Sequence, residues 1–117
     1  LLADTNIRRK IASNYLENIK NEKIILPFVP KWTNPAWHLF VIRTKNRDNL
    51  KSYLIDNGID TLIHYPIPPH KQKAFLELNS HSFPITEKIH KEVLSIPLYP
   101  GLSMENQLKI IDSLNGY

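Results

Sequence analysis

The residues best suited to chemistry lie within one short run, His64-Tyr65-Pro66-Ile67-Pro68-Pro69-His70-Lys71-Gln72. Two imidazoles, a phenol, an ammonium and an amide stand together there. All can donate to phosphate, hydroxyl or carbonyl oxygens. Three prolines fix φ and lower the entropy lost when the segment is ordered. The run reads as a ligand-contacting loop with His64, Tyr65, His70, Lys71 and Gln72 as its contributors. The competing reading is a proline-rich connection whose histidines satisfy backbone groups.

Other chemistries lack their parts. His64 and His70 are six apart, and His81 and His90 nine apart. Neither is the i, i+4 pair of a helical zinc motif, and no carboxylate completes a set, so no metal is expected. His38 reads as a core or edge histidine of a strand. Gly58, Gly101 and Gly116 are scattered at turns and helix ends, which leaves no phosphate-cradling loop. There is no Gly-x-Ser-x-Gly elbow and no obvious carboxylate pair. The absence of cysteine removes thiol nucleophiles, disulfides and cysteine zinc sites. No complete active site is visible.

A scaffold must hold that loop. The 117 residues suit one domain, and 42% hydrophobic content is too apolar for a disordered chain. No apolar run nears the length of a membrane span, and the first residues lack the pattern of a signal peptide. The chain opens Leu1-Leu2-Ala3-Asp4 without Met, and a piece of a longer protein is expected. The net charge of +4 invites a nucleic-acid reading, with Trp32, Trp37 and Tyr65 available for stacking. The basic residues are dispersed among acids, however, and read as solvated helix faces. A stand-alone module for RNA or another polyanion is the alternative to an enzyme piece.

The periodicity predicts a helix over 4–21, capped by Asp4, Thr5 or Asn6, with Ile7, Ile11, Tyr15, Leu16 and Ile19 on one stripe. Pro27, Pro30 and Pro35 exclude a regular element around them. Residues 36–43 predict a strand covered on both faces, and 60–65 a second strand ended by Pro66. A helix over 47–57 stops at Asn57-Gly58. A short helix is expected over 70–77. Pro84 opens another helix, with Ile85, Ile89 and Val93 facing inward. Residues 95–99 are extended. Ser103 caps a last helix with Met104, Leu108, Ile111 and Leu114 as its stripe. The resulting class is α+β: a small, mostly antiparallel sheet of about three strands covered by helices.

The loop, taken with its continuation to Lys73-Ala74-Phe75 and its lead-in Thr61-Leu62-Ile63, resembles the C-terminal part of the DegT/DnrJ/EryC1/StrS family. The supporting pieces come in family order. Asn6-Ile7-Arg8-Arg9-Lys10-Ile11-Ala12-Ser13-Asn14-Tyr15 is similar to the interdomain helix. Trp37-His38-Leu39-Phe40-Val41-Ile42-Arg43 is similar to the first small-domain strand, and Leu50 to Gly58 followed by Ile59 to the next helix and turn. Phe83-Pro84, the run from Glu92 to Ser103, and Gln107 resemble the closing segment.

The resemblance implies a cytoplasmic, pyridoxal-phosphate-dependent nucleotide-sugar aminotransferase of fold type I. Such an enzyme moves an amino group, commonly from glutamate, to a keto sugar on a nucleotide. The family's Schiff-base lysine, the acid beside the pyridine nitrogen and the phosphate-binding residues belong to a large domain, and no lysine here sits in that motif. The implied layout is an interdomain helix over 1–21 and a small domain over 22–117, with the large domain absent. The implied role is a wall of the sugar-nucleotide site, built by His64, Tyr65, His70, Lys71 and Gln72. The implied partners are the keto-sugar nucleotide, the chain's own large domain and a second subunit. No nucleic acid, membrane or resident cofactor is expected for these residues alone. The proline-rich loop looks closest to members acting at the sugar's C3. A degenerate relative that keeps the fold for an interaction role is a further alternative.

Overall fold

The computed structural model describes all 117 residues. Helix α1 (Leu2–Asn18) leads to strand β1 (Phe40–Arg43), then helix α2 (Arg47–Asp56). Two 3₁₀ turns, Pro69–Lys71 and Lys73–Leu78, precede helix α3 (Pro84–Glu92). Strand β2 (Val93–Ile96) follows α3 without an intervening residue, and helix α4 (Met104–Gly116) closes the chain.

The sheet is antiparallel, in register from Phe40 opposite Ile96 to Arg43 opposite Val93. Single bridges extend it on both sides, Ile25 beside Arg43 and Leu62 beside Ser95. The expected α+β layout holds, with two regular strands where about three were expected. The predicted strand over 60–65 contracts to the Leu62 bridge, where Leu62 exchanges both backbone bonds with Ser95 at 3.1 and 2.7 Å. Prolines 66, 68 and 69 cannot extend a ladder beyond it.

The strand predicted over 36–43 is shorter for a different reason. Trp37 lies at φ +54°, a left-handed conformation that ends extended backbone. Coverage on both faces belongs to β2, all four of whose residues are buried. In β1, Phe40 and Ile42 are buried while Val41 and Arg43 are half-buried.

The core gathers Ile11, Tyr15, Phe40, Ile42, Leu50, Leu54, Leu94, Ile111 and Leu114. Tyr15 meets the Phe40 ring edge-on at 5.2 Å, and Trp37 stacks on Phe40 at the same distance. Each such large side chain contributes about 2–3 kcal/mol by leaving water. Helix α1 turns Ile11, Ala12 and Tyr15 inward, while Ile7, predicted on the same stripe, is 39% exposed. Asp4, Thr5 and Asn6 lie inside the helix instead of capping it, and Thr5 Oγ1 donates back to the Leu1 carbonyl. Ser103 does cap α4, accepting from the Asn106 N–H at 3.2 Å. The buried face of α4 is Gln107, Ile110, Ile111 and Leu114, so Met104 and Leu108, predicted on the inward stripe, fall outside it. Gln107 takes an inward place because its amide is satisfied, accepting from Asn14 and donating to the Leu102 carbonyl.

Helix α3 departs furthest from expectation. Pro84 sits in its first turn as predicted, but Ile85 is 78% exposed and Ile89 points outward too. The face turned toward the loop carries Glu87 and His90. At its end, Glu92 is buried and accepts from Arg43 at 2.7 and 3.2 Å. Polar partners, not an apolar stripe, fix its rotation.

Several cations predicted as solvated faces are internal donors. One nitrogen of Arg8 reaches the carbonyls of Trp37, His38 and Leu98 at 3.3, 3.3 and 3.0 Å. Arg9 holds the carbonyls of Asn34 and Pro35, and Arg47 those of His90 and Val93.

Candidate substrate-contacting loop

Strand β2 supplies the anchor for the first loop residue. Ser95 is the one polar side chain in the run Val93-Leu94-Ser95-Ile96, and it is buried. Its Oγ lies 2.9 Å from His64 Nδ1. His64 is half-buried, and its Nε2 makes no hydrogen bond within the protein. Tyr65 follows across a cis peptide, 66% exposed, with its ring edge-on to the His64 imidazole at 5.5 Å. The Tyr65 hydroxyl makes no internal bond. Its carbonyl accepts from His90 Nδ1 at 2.6 Å. A carbonyl only accepts, so His90 carries its proton on Nδ1.

The remaining predicted residues turn elsewhere. His70 is 5% exposed, its Nε2 sits 3.0 Å from Glu87 Oε1, and its ring meets Phe83 edge-on at 4.8 Å. Lys71 Nζ donates to the carbonyls of Asn79 and His81 at 2.6 and 3.1 Å, which ties off the second 3₁₀ turn. The Gln72 amide donates back to the Ile67 carbonyl at 3.4 Å. The geometry therefore brings His64 and Tyr65 to one open face and directs His70 inward. Lys71 and Gln72 stay exposed while bracing the segment itself.

Between the loop and α3 lies a cleft of about 220 Å³, lined by Pro66, Pro68, Lys71, Glu87, His90 and Lys91. The Glu87 carboxylate is held below the usual carboxylate range, first by the Phe83 N–H and then by His70, with nearby Lys71 adding to both. No group of three or more His, Asp or Glu residues could hold a metal ion. No helix is long and apolar enough to cross a membrane. Of the aromatics weighed for stacking on bases, Trp37 is packed against Phe40, while Trp32 is 86% exposed.

Ser95, Glu87 and His90 escape sequence reading as site residues. Their signals are slight: a serine within an apolar strand, an acid four residues after the helix-opening Phe83, and a histidine three further along the same helix face.

Comparison with known proteins adds an independent line. A profile of the DegT/DnrJ/EryC1/StrS aminotransferase family matches residues 3–115. The dTDP-3-amino-3,6-dideoxy-alpha-D-galactopyranose transaminase of Aneurinibacillus thermoaerophilus is 50% identical over 114 residues, covering 97% of this chain and 31% of that protein. The erythromycin biosynthesis sensory transduction protein EryC1 of Saccharopolyspora erythraea is 44% identical over 117 residues, covering 97% of this chain and 32% of its own. Among solved structures, DesV of S. venezuelae superposes with a TM-score of 0.91 at 37% identity, over 97% of this chain and 31% of that one. The chain thus spans about a third of the length of these relatives. Sequence profile, relatives and fold agree from one end of the chain to the other, and the chain belongs to the DegT/DnrJ/EryC1/StrS aminotransferase family.

Proposed function

We propose that these residues are the C-terminal small domain of a nucleotide-sugar aminotransferase, and that the His64–Tyr65 face is its wall of the sugar-nucleotide site. The parent reaction is transfer of an amino group from an amino acid, glutamate in the first instance, to a keto sugar carried on a nucleoside diphosphate. The observation that carries this reading is a likeness running over residues 3–115 combined with two free polar groups on a loop backed by the sheet. Relatives named for 3-amino sugars favour a keto group at C3.

Pyridoxal phosphate would supply the electron sink in the whole enzyme. The residues here do not fit it. Every lysine is exposed or half-exposed, and none faces an enclosed cavity in which an amine would lose its proton. The small domain's contribution is binding and orientation. His64 Nε2 and the Tyr65 hydroxyl meet sugar hydroxyls or diphosphate oxygens. Lys71 keeps a third N–H for an anion, and His70 and Gln72 hold the backbone that presents them. Residues 1–21, with helix α1 ending at Asn18 and not at the predicted residue 21, join the two domains, and a second subunit completes the site.

The test replaces the matching third of the Aneurinibacillus transaminase with residues 1–117. Glutamate and a dTDP-linked 3-keto sugar are supplied, and the amino sugar is read by mass spectrometry. Turnover by the fusion is expected, with Tyr65→Phe raising the sugar KM. A folded fusion without turnover, or turnover by the 117 residues alone, would overturn the reading. A salt-dependent gel shift of the 117 residues with RNA would favour a binding module instead.

A further inference from the structure

The geometry points to Glu87 as a positioning residue that sets the pose of the His64–Tyr65 pair from the far side of the loop. The inference rests on the reading of that loop as a substrate wall. Glu87 Oε1 serves two donors at once. The Phe83 N–H reaches it at 3.1 Å, which satisfies an orphan donor at the start of α3. His70 Nε2 reaches it at 3.0 Å. An ionised carboxylate only accepts, so His70 carries its proton on Nε2. That ring is buried, and without its acceptor the N–H would be stranded away from water.

Three residues further along the same helix face, His90 fastens the other end of the loop through the Tyr65 carbonyl. Residues 65 and 70 are therefore held to one face of one helix. Between them Pro66, Pro68 and Pro69 have fixed φ and little freedom to absorb a shift. The third tie, His64 to Ser95, lands on β2, which continues directly from α3. Helix, strand and loop are thus tied to one another at three points, and Glu87 is the group bonded to both the helix start and the loop's buried ring. A helix cap alone would need only the Phe83 contact.

Two substitutions separate these roles. Glu87→Ala removes both bonds, while Glu87→Gln keeps an oxygen that can accept them. In the 117-residue chain, histidine-ring NMR should show a protected His70 Nε2–H that Glu87→Ala abolishes. The His64 and Tyr65 ring signals should shift with it while Tyr15 and Phe40 stay in place, and Glu87→Gln should restore most of the native pattern. In the fusion enzyme, Glu87→Ala should raise the sugar KM by roughly 10- to 100-fold, as a small displacement of a contacting group does. The glutamate KM should not change. If Glu87→Ala prevents folding, His90→Ala breaks the Tyr65 tie without touching the start of α3 and should shift Tyr65 and the sugar KM in the same direction. Signals that change only around Phe83–Ile85, with His64, Tyr65 and the sugar KM unmoved, would reduce Glu87 to a cap. A native fusion without turnover would remove the proposed function, while the ring signals would still decide the role of Glu87.

Discussion

Replacing Tyr15 by Phe removes one oxygen from the centre of the fold and nothing else. The ring is fully buried and keeps its edge-on contact with Phe40. The hydroxyl donates to the Pro97 carbonyl at 2.8 Å, across the join between α1 and the end of β2. Losing that bond and leaving the carbonyl unpaired should cost about 1–2 kcal/mol at pH 7. Burial, and then the neighbouring Tyr99 phenol, push the Tyr15 pKa well above its ordinary value of 10.0. The unfolded chain therefore ionises Tyr15 first as pH rises. The contribution of this group is complete below pH 10 and declines above it, by about 1.4 kcal/mol per pH unit. The phenylalanine variant has no such term. Urea midpoints for both proteins at pH 7, 9, 10 and 11 measure the difference, and all other titrations cancel. The gap should be constant to pH 9 and nearly close by pH 11. Parallel curves across that range would refute a buried, hydrogen-bonded phenol at this position.

Three further outcomes are open to the same measurement. Arg43→Met should destabilise the chain by about 2–3 kcal/mol, because Glu92 is then buried without its main partner; adding Glu92→Leu should recover much of it. Gly58→Ala should cost about 1 kcal/mol, since Gly58 sits at φ +70° and a new methyl would lie 3.2 Å from the mobile Lys109 Nζ. Glu87 is held below the ordinary carboxylate range, so its contribution is present above about pH 4.3 and lost as pH falls through the lower folded value. Glu87→Gln should flatten the acid limb of a stability-against-pH curve, and an unchanged limb would deny the carboxylate its two donors.

What the sequence made legible was whatever short-range chemistry controls. Gly58, Pro84 and Ser103 all mark turns or helix starts where local rules place them. The ordered loop and helix motifs carried the family. What stayed hidden was settled by tertiary partners. The apolar spacing of Ile85 and Ile89 predicted an inward face, but Glu87 and His90 found acceptors and donors on the loop and turned the helix the other way. Arg8 looked like one of several surface cations until carbonyls 29, 30 and 90 residues away converged on it. In the loop, spacing could nominate His64, Tyr65, His70, Lys71 and Gln72 but could not say which atoms are already spent. Only the packed structure shows His70 facing Glu87 and the Tyr65 hydroxyl facing outward.

The Arg8 contact has a consequence for the alignment of the strands. Phe40 stands opposite Ile96, so the next non-adjacent rung of the ladder would join His38 to Leu98. The carbonyls of those two residues are taken by the Arg8 guanidinium instead. A side chain from α1 thus fills the place of a backbone rung and forms a doorstop for the sheet. Sliding β1 by one residue against β2 would exchange its buried and half-buried faces and offer Arg8 a different set of carbonyls. Two strands of four residues have little pairing of their own with which to resist such a slide. Beside the flanking bridges of Ile25 and Leu62, their alignment is held from outside by an arginine on a helix that ends more than twenty residues before β1.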